Sequence, residues 1–162
     1  MEQISKYFNA EKYESLLFVL VGIFAIISAA YFLVKVKQPF YTGMAYPLIA
    51  VAIIQIVVVT SVYFRSPKDI LRVNNIVEHE KSKIFSEEIP RMEVVMKNFV
   101  IYRWIEIILL LAGIIMFFYF EPNTLWKGVG LGLAIQASFM LLLDFFAESR
   151  GKTYLEFLQQ LA

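Results

Sequence analysis

Arg103 and Glu106 stand three residues apart in the stretch Pro90 to Phe120, PRMEVVMKNFVIYRWIEIILLLAGIIMFFYF, where a charged sequence turns apolar. Asp144 occupies a comparable depth on a later apolar run. An ionisable side chain inside an apolar span is costly, so such residues pair with one another or line a path for protons or ions. Arg103, Glu106 and Asp144 are therefore read as an intramembrane polar cluster with two possible chemistries. One is a charge pair that fastens two helices together; the other is a protonatable relay or ion site. One arginine among these acids looks like self-neutralisation, which favours the fastening role.

Gln55 and Gln136 form a second pair. Gln55 lies ten residues from Arg65 and Gln136 twelve from Glu148, about 15 to 18 Å of helix, which puts both near the midplane of a bilayer. Side-chain amides at that depth join helices at about 0.6 to 2 kcal/mol each. The single histidine, His79, stands between Glu78 and Glu80. Neighbours in sequence point to different helix faces, so it reads as solvated surface and not as a metal ligand. Gly128-x-Gly130-x-Gly132 has the outline of a nucleotide loop but follows no strand, and close helix packing is the better reading. No Ser-His-Asp set exists and cysteine is absent, so no catalytic residue, metal or cofactor is expected.

The elements that carry these residues are apolar helices. The composition is 59% hydrophobic and 16% aromatic, too apolar for a soluble chain of 162 residues. Leu16 to Val34 runs 19 residues without a charge, about 28 Å of helix, and reads as a first span and not a cleaved signal. Further spans are expected at about 44–64, 99–120 and 127–147. Gly22, Ala25 and Ala29 on the first span, Gly113 on the third, and Gly128 and Gly132 on the fourth are the expected close-packing positions.

Between the second and third spans, residues 65–98 are polar and charged. Ser66-Pro67 followed by Asp69 has the form of a helix start, so an amphipathic helix is expected from Pro67 to about Phe85, along the membrane surface or on a partner. Ser86 to Pro90 is expected to break it. Gly151 is expected to end the fourth helix, and Thr153 with Glu156 to cap a short amphipathic helix over 153–162, whose Leu155, Leu158 and Leu161 could face lipid.

With four spans, the termini and the middle connection share one side. That side carries eleven lysines and arginines against three on the other, which makes it cytoplasmic. The expectation is an all-α, single-domain, four-helix transmembrane bundle with amphipathic cytoplasmic helices. Its expected location is a bacterial inner membrane, with both termini cytoplasmic. The bilayer is one partner, and a second copy or another protein could dock on the middle connection, where Met92, Val95, Met96 and Phe99 make an apolar face. A net charge of +1 gives no case for nucleic acid. The leading expectation for function is a non-enzymatic, oligomeric interaction or assembly subunit. A proton- or ion-coupled transporter or channel using Glu106 and Asp144 is the alternative, and a membrane enzyme on a lipid-like substrate ranks last.

Overall fold

The computed structural model describes residues 2–161, and it is helical almost throughout. Helix α1 spans Glu2–Tyr31 and widens into a π turn over Phe32–Val36. Lys37 ends it in the left-handed region, at φ 53°, with its N–H donated to the Phe32 carbonyl. Helix α2 spans Pro39–His79, with Pro39 in its first turn, where the missing N–H costs nothing. A short turn at Glu80 to Lys83 and a π turn over Ile84–Glu88 lead into α3, Ile89–Tyr119. The Phe120 to Thr124 turn, with Asn123 at φ 61°, leads into α4, Leu125–Leu161. All four helices are long and apolar enough to cross a membrane.

The helices do not close into a square. α1 packs on α2, α2 on α4, and α4 on α3, with a smaller contact between α1 and α4. Among the described residues, the α3 backbone stays apart from α1 and from α2, and side chains such as Tyr7 and Met92 reach across only at the charged end. α3 is an edge helix. Ile101, Trp104, Ile105, Ile108, Leu111, Ile115 and Phe118 leave its outer face apolar and exposed.

Two cores hold the row together, and their chemistry differs. Within the apolar segments the core is built from small and medium side chains, Ala25, Ala29, Met44, Ala45, Leu48 and Ala52, which let backbones approach closely. At the charged end is a second core of larger groups: Ile4, Tyr7, Phe8, Val73, Ile76, Ile84, Ile89, Met92, Tyr154 and Leu158. That pattern belongs to a water-surrounded bundle, where burial of large apolar groups drives packing.

This second core corrects the expected ends of the elements. α2 does not break at Ser66-Pro67. The Ser66 hydroxyl donates to the Val62 carbonyl one turn back instead of capping a new helix, and the chain continues to His79. The break falls at Glu80 to Lys83 and not at Ser86 to Pro90. α1 begins well before the first apolar run, at Glu2. Gly151 does not end α4. Thr153 donates back to the Ser149 carbonyl from inside a continuous helix. Leu158 is fully buried and Leu155 packs beside it, so neither is free to face lipid. The expected amphipathic helices at this end are continuations of the long helices. Their apolar faces are spent on one another.

Candidate functional site

The buried charge at the charged end is largely paired within the structure. Glu88 is completely buried and accepts four hydrogen bonds: from Arg72 Nη2 at 2.7 Å, from Arg91 Nε at 3.0 Å and Nη2 at 2.6 Å, and from the Tyr154 hydroxyl at 3.2 Å. Tyr7 of α1 stacks on Tyr154 with ring centroids 4.2 Å apart, so groups from all four helices converge there. Burial alone would raise the Glu88 carboxyl, but the Arg91 and Arg72 bonds more than offset it and hold the group below its ordinary value. Asp69 pairs with Arg65 at 3.0 Å and Arg72 at 3.4 Å, and Arg150 pairs with Glu14. Glu88 was not singled out from sequence. Its local partner Arg91, three residues on, was a visible signal, whereas Arg72 reaches it only through the fold.

The expected cluster of Arg103, Glu106 and Asp144 is rearranged. Arg103 pairs with neither acid and donates to Glu148 Oε1 at 3.3 Å, and Lys152 reaches the same oxygen at 2.8 Å. Glu148 was read only as a helix-end marker. Two cations therefore compensate it, and none compensates the other two acids.

Glu106 is 2% exposed, and neither of its carboxylate oxygens has a hydrogen-bond partner among the described residues. The group within reach is the Asp144 carboxyl, itself an acceptor unless it carries a proton. Both acids line a cavity of about 90 Å³ between α3 and α4, together with Phe99, Arg103, Leu141, Phe145 and Glu148. That is room for about three water molecules. Beyond it, toward the short turns, the interface closes: a Cβ on Gly113 would sit 2.7 Å from the Gly130 carbonyl and the Ala134 amide. The two helices are therefore in backbone contact on the side of the cavity toward the short turns.

Gln55 and Gln136 are brought together. Gln136 Nε2 donates to Gln55 Oε1 at 3.2 Å, and Gln55 Nε2 donates to the Phe18 carbonyl of α1 at 2.8 Å. The chain of bonds ties α4, α2 and α1 at one level.

The glycines divide by the neighbour they admit. Gly128 and Gly132 lie one turn apart and face α2 at Phe40, Met44 and Pro47, while Gly130 between them faces Gly113 and Met116 of α3. The alternate-residue spacing clears both sides of α4, as a helix packed between two others requires. Gly43 receives the Leu125 carbonyl at the start of α4, and Gly22 meets the Ile56 side chain. Ala25 and Ala29 are buried in the small-residue core. His79 is exposed beside Glu78. Met92 is fully buried and Met96 packs on Gly151, so the expected docking face of the middle connection is largely covered by the chain itself.

Comparison with protein-family models, curated proteins and solved structures finds no match to this chain. What can be said of function rests on the geometry above.

Proposed function

We propose that this is a four-span membrane protein that binds and moves a small cation, with Glu106 and Asp144 as the binding pair. Its termini and middle connection lie on the cytoplasmic side by the lysine and arginine count, with a bacterial inner membrane as its site. One observation carries the reading: a buried Glu106 carboxylate, with no donor to satisfy it, lines a cavity beside a second carboxylate. A structural charge pair would have spent Arg103 on Glu106 or Asp144, and Arg103 is spent elsewhere. Two acids in one apolar-walled cavity cannot both stay bare at low cost, so the pair holds a proton or a cation. Backbone contact between α3 and α4 on one side of the cavity suits a carrier that exposes its site to one side at a time better than an open pore.

The test is proton or cation uptake by proteoliposomes under an imposed gradient. Glu106→Gln and Asp144→Asn should each remove uptake while the protein still folds and reconstitutes, because the amides keep the shape and delete the titratable group. Wild-type uptake by Glu106→Gln would sink the reading. A second reading, assembly through the outer face of α3, is favoured by the exposed apolar run on that edge helix. Crosslinking between cysteines introduced at Ile108 of two copies would support it, and a strictly monomeric protein in the bilayer would remove it.

A further inference from the structure

The cavity does more than hold two acids; its lining restricts what they can bind. The charged groups facing Glu106 are Arg103 on its own helix and Asp144 and Glu148 on α4, the helix packed against this part of α3, with Lys152 behind Glu148. The remaining lining, Phe99, Leu141 and Phe145, offers no oxygen. Both helices run unbroken past the site, so their carbonyls are committed to helical bonds and none is released as a ligand. A sodium- or potassium-sized ion is normally held by several oxygens, including carbonyls freed where a helix unwinds. Here the protein supplies only the carboxylates, with a guanidinium in the same wall.

A fixed cation beside the mouth opposes entry of any free cation, protons included. A carboxyl group can nevertheless carry a proton past it as a neutral O–H. Glu148 is that group by position. It lines the mouth one turn from Asp144 on α4, its side chain is 7% exposed, and its negative charge is already shared between Arg103 and Lys152.

Building on the cation-carrier reading, we infer that the site is selective for protons, and that Glu148 passes them to the Asp144 and Glu106 pair while Arg103 excludes metal cations. The Glu148 O–H breaks as an Asp144 O–H forms, directly or through a water in the cavity, and Glu148 then recovers its Arg103 and Lys152 partners. No electrons move, and no other reactant is needed.

The experiment uses the full chain in proteoliposomes and a hydrophobic carbodiimide, which reacts with protonated carboxyl groups in apolar surroundings. Label should appear on Glu106 or Asp144, fade as pH rises, and be unaffected by saturating sodium or potassium. Arg103→Gln should make labelling sensitive to sodium. Glu148→Gln should slow proton uptake on the order of a hundredfold, the usual worth of a positioned proton donor, while leaving equilibrium labelling in place. Its former partners Arg103 and Lys152 are solvent-accessible, so this variant should fold.

Sodium protection of the wild-type pair, or wild-type uptake by Glu148→Gln, would overturn the inference and leave the carrier reading standing. Absence of label at every pH would overturn the inference too. The carrier reading itself fails on a different result, unchanged uptake by Glu106→Gln.

Discussion

Two glutamates at the charged end, Glu88 fully buried and Glu11 partly so, face opposite electrostatic situations, and their responses to pH should differ in sign. Glu88 is over-provided with donors, and its carboxyl lies below the ordinary range despite burial. A group lowered on folding contributes stability that is fully present above its unfolded value of about 4.3 and is lost as pH falls through the folded value. Glu11 is the reverse case. Burial pushes it up against the weaker pull of Arg65, whose guanidinium stands 3.9 Å away, and one of its oxygens is unpaired. Its contribution favours folding at low pH and is lost as pH rises through its raised value. Glu88→Gln should therefore flatten the acid limb of the stability curve. At neutral pH it should cost about 3 to 5 kcal/mol, because two guanidinium groups lose a buried partner. Glu11→Gln should be neutral or stabilising at neutral pH. Unfolding in detergent, followed by circular dichroism across pH, checks both, and equal losses in the two variants would contradict the assignment.

At the scale of elements, the apolar helices were legible in the sequence because composition and length decide them, and the glycine spacing on α4 was legible because it is local. The helix ends were not. Ser66-Pro67 and Gly151 are breakers by local propensity, yet α2 and α4 run through them because neighbouring helices repay the loss. Gly151 shows how. A Cβ there would stand 2.9 Å from the Met96 sulfur, so the glycine admits a neighbour and ends nothing. The partner of Arg103 was missed for a similar reason: helical rise puts Asp144 and Glu148 one turn apart, and sequence cannot choose between adjacent turns of a neighbouring helix.

The same contacts rank the glycines by consequence. At Gly128 and Gly43 an added Cβ meets the backbone of Phe40 and Leu125, and at Gly130 and Gly113 the backbones of α3 and α4 meet each other. At Gly22 it meets only the Ile56 side chain, which can turn. Gly128→Ala and Gly130→Ala should each cost about 1 to 3 kcal/mol, as overpacking does, while Gly22→Ala costs less. Thermal unfolding in one detergent would establish the order. Gly130→Ala carries a further expectation: it separates α3 from α4 in the same interface that holds the cavity and should impair uptake more than Gly128→Ala at equal stability loss.

For the molecule as a whole, the lengths of the helices decide the architecture. α2 has 41 residues, about 60 Å at helical rise, against roughly 30 Å of hydrocarbon. The connections between α1 and α2 and between α3 and α4 are short turns, so the excess of every helix falls at the same end. There it forms a second bundle whose large apolar core and Glu88 network keep the four helices together outside the apolar layer. In the carrier proposed above, the carboxylate cavity sits just inside that layer, under this bundle, and protons would reach it through the join between the two cores. A separate amphipathic helix on the membrane surface would leave flexible chain at Arg65 and around Pro90. A continuous bundle leaves it only at Glu80 to Lys83. Trypsin acting on the charged end of the solubilised protein should therefore cut first after Lys81, which is exposed in that turn, and spare Arg65, Arg72 and Arg91. The two halves should remain associated after the cut, since α2 packs on α4 and the second core draws on all four helices. Early cleavage at Arg65 or Arg91, or separation of the nicked halves without denaturant, would mean that the charged end is not one packed unit and that Arg103 and Glu148 lack the rigid frame the proposed proton path requires.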